Sequence, residues 1–412
     1  MIMKILALAT ATLFLGACQK ASPVNPELDP ESLHALGLLS ASERATLAAD
    51  NGFGFNLLAK LAAEDTAGNL FLSPLSVSLA LTMTSNGARG ETGTAMAKAL
   101  GHEGMDATGI NALYTRLIPA LASVDPRVRL DIANSIWSLT GFPVASDFLD
   151  LNRRTFGAET RELDFAAAGA AGVINKWVEG KTQGKIKDLV ADPIGSDVRM
   201  ILINALYFKG DWSNAFPDKG TRDGDFTAAG GAVKRCAFMH SDVTYRHYSS
   251  DPAQVVELPY GDSLFAMDLI LPKAADGMDA VIAALQGGAW DDWSAHLTGA
   301  ARVSLPKLKV DYGLSLNHAL EAMGMGVAFT FQADFSGISK NEGLAISKVV
   351  HKTYLEVDEK GTTAAAATEV EMIAKAAMPE PVIEFNRPFL LLIREKTTGT
   401  VLFLGRMQDP SL

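Results

Sequence analysis

The side chains that could carry catalysis are few in this chain of 412 residues, which contains seven histidines and two cysteines. His102 is followed by Glu103, but the second histidine that a zinc-protease helix needs is absent. No pair of histidines or cysteines has metal-ligand spacing, and no G-x-S-x-G sequence offers an exposed nucleophilic serine. These patterns argue against hydrolase and metal chemistry, and the sequence predicts neither a metal nor a cofactor.

One catalytic pattern is present, because residues 304–307 read S-x-x-K. Penicillin-interacting serine enzymes carry this pattern with the lysine one helical turn after the serine. Here Pro306 and the surrounding alternation of apolar and polar residues predict a strand, so Lys307 would not lie one helical turn from Ser304. The chain is therefore expected not to be an enzyme.

Cys236 lies in the sequence KRCAFMH, which reads as a strand. We expect a buried structural thiol there, and a reactive thiol is the alternative. The other cysteine, Cys18, lies at the end of an N-terminal signal described below. Once that cysteine is used there, no intramolecular disulfide is possible, and packing alone must stabilise the fold.

An unusual stretch near the C-terminus, residues 362–377, has neither proline nor glycine and contains five small residues in a row at 363–367. Alanine favours a helix. Alternation instead predicts a strand with one uncharged face, because Glu369, Glu371 and Lys375 all fall in one register. The other register holds only uncharged side chains: Thr362, Ala364, Ala366, Thr368, Val370, Met372 and Ala374. A segment that is a strand in one state and an exposed loop in another fits both patterns, and a surface linker is the simpler alternative.

The flanks of this stretch are strand-like, at residues 348–357 on one side and at 382–385 and 389–393 on the other. Gly361 can act as a hinge because glycine accepts backbone conformations that other residues avoid. Pro379 and Pro381 interrupt any regular ladder or helix.

The rest of the chain predicts an α+β fold, with helices early and strands later. Helical patterns cover residues 45–64, 74–87, 90–100, 171–180 and 314–323, and strand patterns include 132–138 and 198–207. Ser73 before Pro74 is a typical helix start. Hydrophobic residues make up 48% of the chain, enough for a large core, and the net charge of −11 argues against nucleic acid.

Near the N-terminus, Lys4 is followed by an apolar run over residues 5–15, which continues as LGAC to Cys18. This pattern is typical of an export signal rather than a membrane span. It resembles a bacterial lipoprotein signal, in which residues 1–17 are removed and Cys18 is lipidated. Residues 18–44 would form a tether, and the protein would be exported and anchored in the cell envelope, in the outer membrane if the cell has one. An ordinary secretory signal is the alternative.

Eight motifs, in order along the chain, resemble the serpins, the serine-protease-inhibitor superfamily. They are NLFLSPLSVSLALTMTSNGARGET (69–92), LINALYFKGDW (202–212), VELPYGDSLFAMDLILP (256–272), VSLPKLKVDYGLSLNHALEAMGM (303–325), ADFSGIS (333–339), EKGTTAAAATEV (359–370), FNRPFLLLIRE (385–395) and LFLGRMQDP (402–410). The resemblance implies one domain over residues 45–412, with about nine helices, three β-sheets and an exposed reactive-centre loop. The hinge and loop would span residues 359–381.

The resemblance also implies a suicide-substrate mechanism. A target serine protease would cut the loop and form an acyl-enzyme, and the loop would then insert into the main sheet and trap the protease. Papain-like cysteine proteases are possible secondary targets, and the inhibitor would be a monomer. The basic cluster Lys181, Lys185 and Lys187 could bind a polyanion, as in some serpins, but Glu179 and Asp188 flank it and favour a solvated face.

The resemblance also implies a position for the reactive bond. At the spacing usual for inhibitory serpins, counting forward from Glu359 places Lys375 before the bond and Ala376 after it, which suits a trypsin-like enzyme. Counting back from Phe385 gives Ala377, and Met378 lies nearby; either would suit an elastase- or chymotrypsin-like enzyme. The hinge residues carried over from the family are Glu359, Gly361, Thr362, Thr363, Ala364, Ala365, Ala366 and Ala367. The uncharged Thr362 favours a working inhibitor over a non-inhibitory binding or chaperone protein, which is the alternative function.

The resemblance finally assigns a cluster that controls opening of the main sheet. Its members match Ser73, Ser76, Asn204 and His351, with Trp212 beneath the top of the sheet. Without the family, each polar member would be read as a buried group satisfied locally.

Overall fold

Residues 37–340, 343–362 and 380–411 are described by the structure, a computed structural model. These ranges contain nine α-helices: α1 (Ala41–Glu64), α2 (Pro74–Ser85), α3 (Gly90–Leu100), α4 (Ala107–Ser123), α5 (Ser146–Phe156), α6 (Ala170–Lys181), α7 (Met278–Gln286), α8 (Ala289–Ala295) and α9 (Asn317–Leu320). Within the same ranges, no helix has the length and apolar character needed to cross a membrane.

Sixteen strands accompany the helices in the described ranges. They are β1 (Leu70–Leu72), β2 (Val128–Leu139), β3 (Glu159–Leu163), β4 (Met200–Asp211), β5 (Arg222–Thr227), β6 (Val233–His240), β7 (Tyr245–Ser249), β8 (Ala253–Tyr260), β9 (Phe265–Pro272), β10 (Gly299–Pro306), β11 (Leu308–Ser315), β12 (Val350–Asp358), β13 (Gly361–Thr362), β14 (Val382–Glu384), β15 (Phe389–Glu395) and β16 (Val401–Met407).

The main sheet has six strands in the order β11-β12-β13-β4-β2-β3. The two-residue strand β13 lies between β12 and β4 and is antiparallel to both. The candidate functional site is built around this two-residue strand at the centre of the sheet.

The remaining strands form two sheets that share β10. Its first half, Gly299 to Ala301, pairs with β7 and continues the order β1-β16-β15-β9-β8-β7, which we call the second sheet. Its second half, Ser304 to Pro306, pairs with β6, which pairs with β5, and β14 lies parallel to β10. The α+β class, the nine helices and the three sheets agree with the architecture expected from the sequence.

The core lies between the helices and the sheets. Strands β15 and β16 are buried along their whole length, as the continuous apolar pattern of residues 389–393 predicted. A second, smaller core lies between α6 and the main sheet, around Trp137, Trp177 and Ile203. Helix α6 therefore has its own apolar contacts, separate from those of the other helices.

Most predicted elements are present, and one differs. Helix α2 begins at Pro74, with the Ser73 hydroxyl accepting a hydrogen bond from the amide of Ser76. The helix predicted over 314–323 is wrong at its start, because Leu314 pairs with His351 in the ladder between β11 and β12. Only α9 is regular there. Ser304 and Pro306 lie in β10, so the S-x-x-K sequence is not on a helix.

Candidate functional site

The predicted hinge begins inside the main sheet. Gly361 pairs with Asp358 and Asp211, and Thr362 pairs with Val357 and Gly210. The backbone of Gly361 has a φ of 150°, and a Cβ on it would lie 2.2 Å from the Gly210 carbonyl oxygen. Only glycine fits this close approach between strands.

Glu359 fastens the turn that precedes β13. Its carboxylate accepts a hydrogen bond from the Thr221 hydroxyl at 2.7 Å and forms an ion pair with Lys307 at 2.7 Å. Its carbonyl accepts a hydrogen bond from the amide of Phe216 at 2.8 Å. Burial opposes ionisation, but the contacts from Lys307 and Thr221 lower the pKa of Glu359 overall. The glutamate therefore remains charged at neutral pH. It ties the turn to Thr221, which directly precedes β5, and to Lys307, which lies between β10 and β11.

Trp212 closes the other side of the same turn. Its indole nitrogen donates to the Asp358 carbonyl at 3.0 Å, and its amide donates to the Lys360 carbonyl at 2.8 Å. The Asp358 carboxylate accepts hydrogen bonds from the amides of Lys360 and Gly361. The hinge is thus held through its backbone as well as its side chains.

Tyr260, at the end of β8, completes the site and was not predicted from the sequence. Its hydroxyl shares a hydrogen bond with the Thr362 hydroxyl at 2.6 Å, and both residues are buried. Its ring stacks on Trp212 with 4.3 Å between centroids. Burial raises the pKa of Tyr260, so the phenol stays protonated. The only sequence signal was a tyrosine that ends an apolar strand in VELPY.

A second polar group lies where α2 begins, beneath β12. The His351 Nε2 atom accepts a hydrogen bond from the amide of Ser73 at 3.0 Å, and the Ser73 hydroxyl accepts one from the amide of Ser76 at 3.1 Å. All three residues are buried. The acceptor nitrogen must be unprotonated, and burial lowers the pKa of His351 to about 4.

Asn204 makes a different contact. Its amide donates to the Asn134 side chain at 2.7 Å, and Asn134 in turn donates to the Phe156 carbonyl at 2.8 Å. The Asn204 Oδ1 atom is buried without a hydrogen-bond partner in the described part of the chain. The structure thus divides the five predicted sheet-opening residues into three places: Ser73, Ser76 and His351 together, Asn204 with Asn134, and Trp212 at the hinge. Their role in sheet opening stays a prediction.

The neutral state of His351 predicts how stability depends on pH. Because the folded pKa of about 4 lies below the ordinary value of 6.5, the unfolded chain binds a proton first as pH falls. The contribution of His351 is therefore complete above pH 6.5 and is lost progressively towards pH 4, by on the order of 3 kcal/mol. Urea unfolding at pH values across this range should show that the free energy of unfolding falls with pH in the native protein. In His351→Gln the free energy of unfolding should depend less on pH. Parallel profiles in the two proteins would contradict the assignment.

The outer face of β12 is covered by the segment that follows α6. Lys185 forms an ion pair with Glu356 at 3.1 Å and lies 4.4 Å from the Tyr354 ring centroid. Lys352 donates to the Lys187 carbonyl at 2.7 Å. The other lysines of the basic cluster also have carboxylate partners: Lys181 pairs with Glu159 and Lys187 with Glu179.

Cys236 lies on β6 and is partly rather than fully buried. Burial, followed by the nearby carboxylates of Asp409, Asp223 and Asp225, raises the pKa of this thiol. A raised pKa lowers the thiolate fraction and favours the structural interpretation.

Other predicted site residues lie outside the described residues. They are Cys18, the hinge residues Thr363, Ala364, Ala365, Ala366 and Ala367, and the candidates for the reactive bond, Lys375, Ala376, Ala377 and Met378.

Comparisons with known proteins agree with this architecture. An uncharacterized serpin-like protein of Thermococcus kodakarensis is 34% identical over 98% of this chain and 98% of its own. The leukocyte elastase inhibitor of Bos taurus is 34% identical over 88% of this chain and 99% of its own. The crystal structure of human thyroxine-binding globulin superposes with a TM-score of 0.81 at 30% identity, over 90% of this chain and 100% of that one. Residues 48–410 match the family described as Serpin (serine protease inhibitor), and the chain therefore belongs to the serpins.

Proposed function

We propose that this protein inhibits serine proteases as a suicide substrate. The observation that carries the proposal is the strand β13, whose two residues already pair with β12 on one side and β4 on the other. A strand that begins there can grow by adding the residues that follow Thr362. Those residues alternate so that one face is uncharged, which is what burial against the core requires.

The reaction has two competing outcomes. The protease serine adds to the carbonyl of the reactive bond, the peptide bond breaks, and the amine on the far side leaves with a proton, so that an ester joins inhibitor and protease. Water can then hydrolyse the ester and release a cut inhibitor. Alternatively, the freed segment extends β13 through the sheet, drags the bound protease with it and distorts its active site. Inhibition requires the second step to be faster.

We propose Lys375 and Ala376 as the residues on either side of the reactive bond, which gives specificity for trypsin-like enzymes. Ala377 or Met378 before the bond would direct the inhibitor to elastase- or chymotrypsin-like enzymes. The similarity to an inhibitor named for leukocyte elastase supports keeping this alternative. Papain-like cysteine proteases form a related acyl intermediate and are possible secondary targets.

We also propose that the protein is an exported monomer, anchored through a lipid on Cys18 in the cell envelope or secreted. Export and anchoring rest on the N-terminal pattern alone, and the monomeric state rests on the family resemblance. A protease inhibitor at that location would protect the envelope.

A binding protein without inhibitory activity is the second candidate function. The similarity to thyroxine-binding globulin favours it, because a solved structure of that protein is a complex with thyroxine. In this alternative the loop would be cut as an ordinary substrate and no covalent complex would form.

Incubation with trypsin and with elastase, followed by denaturing gel electrophoresis, tests the proposal. We expect an SDS-stable complex with trypsin and a released fragment whose first residue is Ala376. A Lys375→Ala variant should lose the trypsin complex and keep its fold, which makes it the matched control. Complete cleavage without a complex would overturn the inhibitor proposal for the protease used.

A melting scan of the cut protein separates the two candidate functions further. Insertion adds about a dozen residues to the main sheet, and each backbone hydrogen bond contributes about 1 kcal/mol net. We therefore expect the cut protein to melt about 10 °C above the intact one, since one kcal/mol shifts the Tm of a chain this long by about 1 °C. An unchanged Tm would indicate that the segment does not insert.

A further inference from the structure

The hydroxyl of Tyr260 forms its hydrogen bond with the hinge. It lies 2.6 Å from the Thr362 hydroxyl, and the exposed fractions of the two residues are 0% and 3%. Tyr260 belongs to β8 of the second sheet, whereas Thr362 belongs to β13 of the main sheet. This hydrogen bond therefore joins two sheets at the point where a new strand would begin.

The residues around the Tyr260 ring hold it in one position. Trp212 stacks on one face with an interplanar angle of 11°, and Phe208 contacts the ring edge-on with 5.1 Å between centroids. A Cβ on Gly210 would lie 3.0 Å from the ring, and Gly210 is the residue of β4 that pairs with Thr362. The ring thus occupies space that glycine leaves open in the strand beside the hinge.

The backbone fixes the same junction. Tyr260 forms an isolated bridge with Trp212, and the amide of Gly261 donates to the Asp211 carbonyl at 2.8 Å. The Ser213 amide donates to the Pro259 carbonyl at 2.9 Å. Because both ends of the tyrosine's segment are tied to the end of β4, the hydroxyl cannot move independently of the sheet it contacts.

We propose that Tyr260 is a positioning residue for strand insertion: its hydroxyl keeps Thr362 paired in the sheet before the protease arrives. The inference rests on the proposed inhibitory function and extends it. A segment that grows from an ordered pair avoids the entropic cost of placing its first residues between two strands. Loss of the hydroxyl should slow insertion relative to hydrolysis of the acyl-enzyme, which lets more inhibitor escape as cut product.

Tyr260→Phe removes only the hydroxyl and keeps the stacked ring. We expect the ratio of cut inhibitor to covalent complex to rise about threefold to tenfold, the range that a net hydrogen bond of this kind supplies. Tyr245→Phe is the matched control, because its buried hydroxyl donates to the Asn214 carbonyl at 3.0 Å and does not contact Thr362. The control should leave the ratio unchanged.

A double-variant cycle tests whether Tyr260 acts through Thr362. Thr362→Val removes the same hydrogen bond from the other side, so adding Tyr260→Phe to it should change the ratio no further. Additive effects, an unchanged ratio or a lower ratio in Tyr260→Phe would each overturn the proposal.

Amide hydrogen exchange on the uncut protein gives a readout that does not depend on inhibition. Amide exchange at Gly361 and Thr362 should be faster by about threefold to tenfold in Tyr260→Phe and unchanged in Tyr245→Phe. Equal protection in both variants would overturn the assignment of Tyr260. If the native protein forms no complex with the proteases but the exchange difference is present, the inhibitory function fails while the hold of Tyr260 on the hinge remains supported.

Discussion

Replacing Thr362 with arginine is expected to abolish inhibition while leaving the loop open to cleavage. Thr362 is 3% exposed and its hydroxyl lies against the Tyr260 hydroxyl, so an arginine in its place would bring a charge into a buried position. Burying an unpaired charge there costs several kcal/mol, and each 1.4 kcal/mol is a factor of ten in a rate ratio. We expect the ratio of covalent complex to cut inhibitor to fall at least about a hundredfold, as measured by densitometry of denaturing gels.

Thr362→Val is the control for this change, because it has the same shape and no charge. It should keep inhibition, with no more than the few-fold loss that follows from removing one hydrogen bond. Arginine should also increase amide exchange at Gly361 in the uncut protein, since the charge prevents β13 from pairing. An arginine variant that still forms complex as efficiently as the native protein would rule out insertion past Thr362.

The sequence predicted that Thr362, the one member of the uncharged register that the structure describes, faces the core, because alternation is a local property of a strand. Thr362 lies in the uncharged register and is buried, and Gly361 has the positive φ that only glycine tolerates. The start of α2 was predicted for a similar reason, since a serine cap followed by proline acts within a few residues. Local rules of this kind carried over directly to the structure.

The contacts that hold the hinge could not be predicted in the same way. Tyr260 meets Thr362 across 102 positions of the chain, and Thr221 meets Glu359 across 138. No local pattern specifies such pairs, because they depend on the register of strands from different sheets. The same limit explains the error at Leu314, whose helical pattern is overridden by pairing with His351.

The partner of Asn204 shows a related limit. A polar residue within an apolar run predicts that the group will be satisfied, but not by which neighbour. Here the neighbour of the amide nitrogen is Asn134, directly opposite Asn204 on the adjacent strand β2, whereas the Asn204 Oδ1 atom has no partner among the described residues. The cluster carried over from family resemblance did not include Asn134.

Strand β8, which carries Tyr260, also contributes to a cluster of buried charged residues in the second sheet. Arg394 on β15 donates to Asp268 on β9 at 2.6 Å and to Glu257 on β8 at 2.7 Å. The two carboxylates are 0% and 2% exposed. Lys396 pairs with Glu257 at 2.8 Å, and the Arg394 guanidinium lies 5.3 Å from the Trp290 ring centroid. The guanidinium thus ties three strands together beneath α8.

Arg394→Met is expected to lower the free energy of unfolding by about 3–5 kcal/mol, because it leaves Asp268 buried without its only ion-pair partner in the described chain. Glu257 is less affected, since Lys396 and Arg246 still pair with it. Equilibrium unfolding in urea measures the loss.

The double variant Arg394→Met with Asp268→Leu removes both charges together and should recover most of that stability, since a buried ion pair contributes little relative to well-packed apolar side chains. Equal losses in the single and double variants would show that the arginine acts through packing against Trp290 rather than through its charge. Because Tyr260 lies three residues after Glu257 on β8, a full loss in the single variant should also increase amide exchange at Thr362. The cluster of buried charged residues would then stabilise the hinge as well as the second sheet.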